Sequence, residues 1–231
     1  LDMIYGAMAH AYFEALGNGM DDAEALDATV AARRAADNAP EWKVERDIAD
    51  FRAMLERAHG WLEASRGAFE QVAVEADVNV QVSDNVRIRG RLDRLERDSS
   101  GAVHIVDLKT GAYPPTVDAT ADNPQLATYQ LALAHGEFDG DKVVTARDGA
   151  DALSVGGAVL VFPNADKTKL STREQAAKTS EELAALAVAL DGLTEETAGP
   201  TLLAVVGPQC DRCAVRALCP IQPEGATIHH V

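Results

Sequence analysis

The chain has 231 residues, 47% of them apolar, and sets 21 Lys and Arg against 37 Asp and Glu for a net charge of −16. That length and apolar fraction suit one domain with a real core, whereas so acidic a chain is a poor match for a tight nucleic-acid binder acting alone. No apolar run approaches the roughly 20 residues of a bilayer span and no signal-peptide pattern is present, so the sequence reads as soluble and cytoplasmic, with no membrane partner. It opens with Leu1 rather than Met, which suggests a piece of something longer.

Met3–Leu16 has helical periodicity, with Ile4, Met8, Ala11 and Ala15 along one stripe, and Gly17-Asn18-Gly19 stops it. His10 lies inside this helix; a histidine there is ordinarily a packed, hydrogen-bonded residue. Asp21–Asp37 and Glu41–Arg66 read as two more helices, the second with Trp42, Ile48, Phe51, Met54, Leu55 and Leu62 as its apolar face. Phe69–Val82 then alternates as a strand. Val72, Val74, Ala76, Val78, Val80 and Val82 share one side, with Gln71, Glu75, Asp77 and Gln81 on the other.

Val86–Arg97 and Val103–Leu108 flank Asp98-Ser99-Ser100-Gly101, a turn of hairpin length. In the first run Val86, Ile88, Gly90 and Leu92 alternate with Arg87, Arg89, Arg91 and Asp93. In the second, Val103, Ile105 and Asp107 share a face with Lys109 just beyond. A hairpin sets Asp93 and Asp107 on neighbouring strands, in a register the sequence leaves open. Two carboxylates and a lysine approached by arginines suit metal-assisted cleavage of a phosphodiester. A solvated, salt-bridged hairpin is the plain alternative. The basic residues Arg87, Arg89, Arg91, Arg94 and Arg97 cluster beside this point, and much of the acid falls in Asp21–Asp27 and Glu174–Glu196, read as solvent faces of helices. Weak, salt-sensitive DNA binding is therefore expected of this chain alone.

Gly111–Pro115 forces a loop, after which Asn123 caps a helix with Pro124 in its first turn. Gln125 and Tyr129 lie on one face of that helix. Gly136–Gly157 is polar and glycine-rich and reads as a long loop. Ala158–Phe162 reads as a buried strand with Lys167–Leu170 beside it, followed by a helix capped at Ser171 or Thr172 and running, with a break near Thr179, to about Leu190. Cys210, Cys213 and Cys219 are all the cysteines of the chain. Three close thiols favour a metal over disulfides. Zinc, with His229 or His230 as fourth ligand, competes there with an iron–sulfur cluster and with unliganded thiols.

Gly90-Arg-Leu-Asp-Arg94, Asp107-Leu-Lys-Thr-Gly111 and Gln125-Leu-Ala-Thr-Tyr129, with His10 on an early helix and cysteines near the end, occur in an order that resembles the RecB-type (AddB/AdnAB-like) nuclease domain of the PD-(D/E)xK superfamily. The resemblance runs from residue 6 to residue 220. It implies an α/β fold, a restriction-endonuclease-like core with a central mixed sheet flanked by helices, and an N-terminal helical region. Residues 1–231 would form one domain: a helical part over 1–66, the nuclease core over 67–200 and a cysteine-bearing tail over 201–231. Asp93, Asp107 and Lys109 would be catalytic. His10, Asp93, Asp107 and the Leu108 carbonyl would hold Mg2+ or Mn2+, with Glu75 at an acidic position nearby. Gln125, Tyr129, Arg91 and Thr110 would contact nucleic acid. Relatives with a [4Fe-4S] cluster draw one cysteine from upstream of the histidine helix, so Cys210, Cys213 and Cys219 form an incomplete set. The implied activity is exonucleolytic hydrolysis of DNA in end processing and recombinational repair, alongside helicase motor domains or a partner subunit. A catalytically inactive nuclease-fold scaffold with a cysteine-bound metal is the alternative.

Overall fold

A computed structural model describes residues 2–36, 39–199 and 204–223. Three helices open the chain: α1 (Asp2–Gly17), α2 (Asp22–Ala35) and α3 (Glu41–Ser65). Asp21 caps α2, its carboxylate accepting from the Ala23 and Glu24 amides. Ala9, Tyr12, Leu26, Val30, Ile48, Phe51 and Leu55 close on one another and on Val106, Leu108 and Val161 of the sheet. The stripe of α1 that packs differs from the expected one: Ala9 and Tyr12 are buried and Ala11 is exposed. Trp42, assigned to the apolar face of α3, is 70% exposed, because that face begins at Val44.

The seven-stranded sheet runs β4-β5-β1-β2-β3-β6-β7. Its centre is a meander of β1 (Phe69–Gln81), β2 (Arg87–Asp98) and β3 (Val103–Leu108), antiparallel throughout. Asp98 makes the β2–β3 turn by accepting from the amides of Ser100 and Ala102. From β3 the chain crosses over through α4 (Val117–Ala121) and α5 (Pro124–Ala134). It later returns as β6 (Val155–Phe162), parallel to β3. As expected, Asn123 caps α5, accepting from the Leu126 amide. The result is an α/β fold with a mixed sheet flanked by helices.

Three expectations fail here. Gly136–Gly157 is not one loop: it contains β4 (Gly136–Asp139) and β5 (Lys142–Thr145), and β5 extends the sheet parallel to β1. Strands this short carry too few residues to show a period. Lys167–Leu170 does not pair with β6; β7 (Ser171–Gln175) does, antiparallel, so Glu174 lies on a strand. The last helix, α6 (Ser180–Thr197), starts after Thr179, whose hydroxyl accepts from the Glu182 amide while Glu182 accepts from the Thr179 amide. This reciprocal pair outcompetes a cap at Ser171 or Thr172.

The expected alternation of β1 also changes along its length. Ala73 is buried in the first half, and Ala76, Val78 and Val80 in the second. An extra residue enters between Gln71 and Ala73, and Glu75 has φ of +46°. The same strand pair therefore presents different sides at its two ends. Val74 approaches Gly17 of α1, where a Cβ would meet the valine at 2.3 Å, and Gly90 lies under the Tyr129 ring of α5. Val74 pairs with Arg94 and Val78 with Gly90, an even spacing that an unkinked pair would keep on one face. The chain divides into two compact units, Leu1–Val188 and Ala189–Val231.

Candidate metal centre

The kink places the site. Glu75 stands opposite Asp93 in the β1–β2 register, between the Val74–Arg94 and Ala76–Leu92 pairs. The β2–β3 pairing ends at Arg94–Val106, and one further step sets Asp93 opposite Asp107. Both β-strand pairings thus converge on Asp93, with α1 laid across them. His10 Nδ1 is 3.4 Å from Asp93 Oδ1 and 3.6 Å from Glu75 Oε1. One ligand atom from each of these three residues lies within 4.8 Å of the other two.

Asp93 is held by the backbone. Its Oδ2 accepts from the Leu108 amide at 2.7 Å, which turns Oδ1 toward the imidazole. Asp107 is buried, and Lys109 Nζ lies 2.8 Å from its Oδ2. That contact is an ion pair by distance, but no donor meets the oxygen with hydrogen-bond geometry. A buried carboxylate oxygen without a directed donor is costly. A cavity of about 30 Å³ between α1, α3 and the sheet has His10, Glu75 and Asp93 in its wall, room on the scale of one water.

The electrostatics agree with the geometry. The hydrogen bond with Asp93 raises the His10 pKa against the opposing effect of burial, and the charges of Asp93, Glu75 and Asp107 add to the rise. Burial, then repulsion from Asp93, raises Asp107, with Lys109 pulling the other way. Burial and Asp93 likewise raise Glu75. Crowded acids of this kind are stabilised by a cation. Carboxylate oxygens suit Mg2+ or Mn2+, and imidazole nitrogen is also a ligand of first-row divalent metals. The His10, Glu75 and Asp93 donor set fits a divalent ion.

The remaining site candidates are placed variously. Tyr129 lies against Gly90 with its hydroxyl 3.4 Å from the Arg91 carbonyl, and Gln125 is exposed on α5. Arg91 turns to Asp77 at 3.2 Å and stands 3.9 Å from Glu75. Thr110 packs beside Gly6 of α1, and its carbonyl accepts from Asn164. Arg94, counted in the basic row, is a correction: it is buried, bonded to Glu96 at 2.6 Å and Gln71 at 2.6 Å, and unable to face solvent. Glu75 is drawn into the cluster as closely as Asp93; its backbone kink is the cause, and strand periodicity carries no sign of it.

The cysteines lie in the Ala189–Val231 unit, Cys210 on the 3-10 turn Pro208–Arg212, Cys213 just after it and Cys219 just after the turn Arg216–Leu218, and all three are free thiols. Cys210 Sγ accepts from the Gly207 amide at 3.4 Å. Among the described residues the cysteines form no convergent metal-ligand group. His229 and His230 lie outside the described residues. With three cysteines in the whole sequence, the thiolates present do not complete a four-cysteine cluster.

Acids on adjacent strands, a lysine two residues past the second acid and an imidazole from a flanking helix thus lie on one side of a mixed sheet, with His10, Glu75 and Asp93 placed to hold a metal ion. The chain belongs to the PD-(D/E)XK nuclease superfamily, whose family model matches residues 2–220. Membership implies a nuclease that works with a divalent metal and acts on DNA. No curated protein matches the sequence. Among solved structures, the crystal structure of SSO0001 is similar at 17% identity over 79% of this chain and 72% of that one, with a TM-score of 0.37. At that score the likeness carries no argument about the site. Among the described residues no helix is long and apolar enough to cross a membrane.

Proposed function

We propose that the chain is a RecB-type nuclease domain that hydrolyses DNA phosphodiesters exonucleolytically, in end processing and recombinational repair, beside helicase motor domains or a partner subunit. The observation that supports this is the meeting of His10, Glu75 and Asp93 beside the Asp107–Lys109 pair of the neighbouring strand. Mg2+ or Mn2+ bound there would supply an acidified water and offset charge developing on the phosphate.

Asp93, Asp107, His10 and the Leu108 carbonyl would be its protein ligands, with Glu75 as a further acid. The Leu108 amide keeps Asp93 from rotating, so one of its oxygens stays aimed into the site. Lys109, on the strand face of Asp107, would orient the attacking water and the phosphate through its ammonium. Arg91, Thr110, Gln125 and Tyr129 would guide the strand. For Cys210, Cys213 and Cys219 we propose metal ligation, as an iron–sulfur cluster or a zinc site, with a fourth ligand from another segment. The complete acid–lysine–histidine set weighs against an inactive scaffold. Asp107→Ala should leave the fold intact and reduce Mg2+-dependent cleavage of end-labelled single strands by about a thousandfold. Undiminished cleavage in that variant would end the assignment, and a closed circular substrate compared with a linear one separates exonuclease from endonuclease action.

A further inference from the structure

The loop that leaves the site after Lys109 carries the most exposed large apolar side chain among the described residues. Tyr113 is 93% exposed, and Val117, at the start of α4, is 68% exposed. The loop is held at both ends. Asn164 donates to the Thr110 carbonyl at 3.2 Å, and Arg173 of β7 donates to the Pro115 carbonyl at 2.7 Å. Thr116 then caps α4 by accepting from the Ala119 amide. Pro114 and Pro115 remove two amides and restrict the backbone between those anchors. A large ring is thus displayed to solvent on a segment pinned to the β6–β7 edge, where an unpinned loop would let it fold back on the surface.

Its position limits its use. Tyr113 is four Cα steps from Lys109, a reach of at most about 14 Å, so the ring stands within a few nucleotides of a phosphate held at the site. A fully exposed tyrosine finds no partner in a duplex, whose bases are stacked on one another. It finds one in an unpaired base, since each base offers a π-face. The acidic chain has little general attraction for phosphates, which leaves stacking as a salt-tolerant source of hold.

We infer that Tyr113 is a stacking platform for an unpaired nucleobase beside the scissile phosphate. The inference rests on the nuclease reading and deepens it. Tyr113→Ala should raise KM for a single-stranded oligonucleotide roughly tenfold, with kcat within about twofold and KM for a blunt duplex unmoved. Tyr113→Phe should keep the parent KM. Tyr113→Trp should show fluorescence quenching with oligo-dT, beyond that of the parent tryptophans, when Ca2+ replaces Mg2+. An unchanged single-strand KM in Tyr113→Ala with no added quenching overturns the inference, as does an equal rise for both substrates. Cleavage surviving Asp107→Ala would strike the nuclease reading and leave the quenching result to stand or fall alone.

Discussion

Asp93 and Arg94 are neighbours on β2 and live in opposite electrostatic conditions. Arg94 is buried with Glu96 and Gln71, each contact 2.6 Å, and Gln71 in turn donates to the Gly17 carbonyl at the end of α1. Every charge there has its counter-charge and a directed hydrogen bond. One residue earlier, Asp93 and, across the strand pair, Glu75 both face His10, at 3.4 and 3.6 Å from its Nδ1, and Asp107 holds an oxygen without a directed donor. The first arrangement is finished and holds α1 to the sheet. The second leaves like charges crowded around one imidazole, the condition a cation would relieve, and the two arrangements stand side by side on a single strand.

The comparison breaks hardest at Arg94. Arg94→Ala strands Glu96 as a buried, uncompensated charge and should cost about 3–5 kcal/mol in urea denaturation. Replacing both partners, Arg94→Met with Glu96→Leu, should recover most of that loss while cleavage per folded molecule persists. If the single variant is as stable as the parent, the pair is not the brace described.

The unfinished cluster predicts the opposite pH behaviour from a satisfied carboxylate. Asp107 and Glu75 have pKa values raised above their ordinary 3.8 and 4.5. Between the ordinary and the raised values the native state holds more protons than the unfolded one, so stability falls as pH rises through that window. His10, raised above 6.5, adds stability that is full below that value and is lost as pH climbs past the folded one. Metal-free protein should therefore lose Tm steadily from about pH 4 upward, and Mg2+ at neutral pH should restore it. Asp107→Asn should flatten the acid part of this slope while leaving the histidine part. A metal-free Tm that rises over that range would contradict the crowding of like charges.

The smallest effect sharpens the role of the kink. Glu75 occupies the left-handed region at φ +46°, a strained conformation for a residue with a Cβ. Glu75→Gly should stabilise the metal-free protein by up to about 1 kcal/mol and weaken Mn2+ binding by calorimetry. Unaltered Mn2+ affinity would remove Glu75 from the ligand set.

Much of the fold was written locally. The three opening helices, the central meander, the Asp98 turn and the Asn123 cap follow from periodicity and from side chains bonding their own backbone, interactions that need no distant partner. His10, Asp93, Asp107 and Lys109 were legible because their residue types recur in a fixed order. What no window of sequence holds is the register that sets Asp93 across from Asp107, or the bulge and positive φ that swing Glu75 toward α1. The burial of Arg94 and the strands within 136–157 were hidden for the same reason. Each depends on which segment lies next in space, and β pairing and ion pairing are contacts between residues far apart in the chain, so only the tertiary structure decides them.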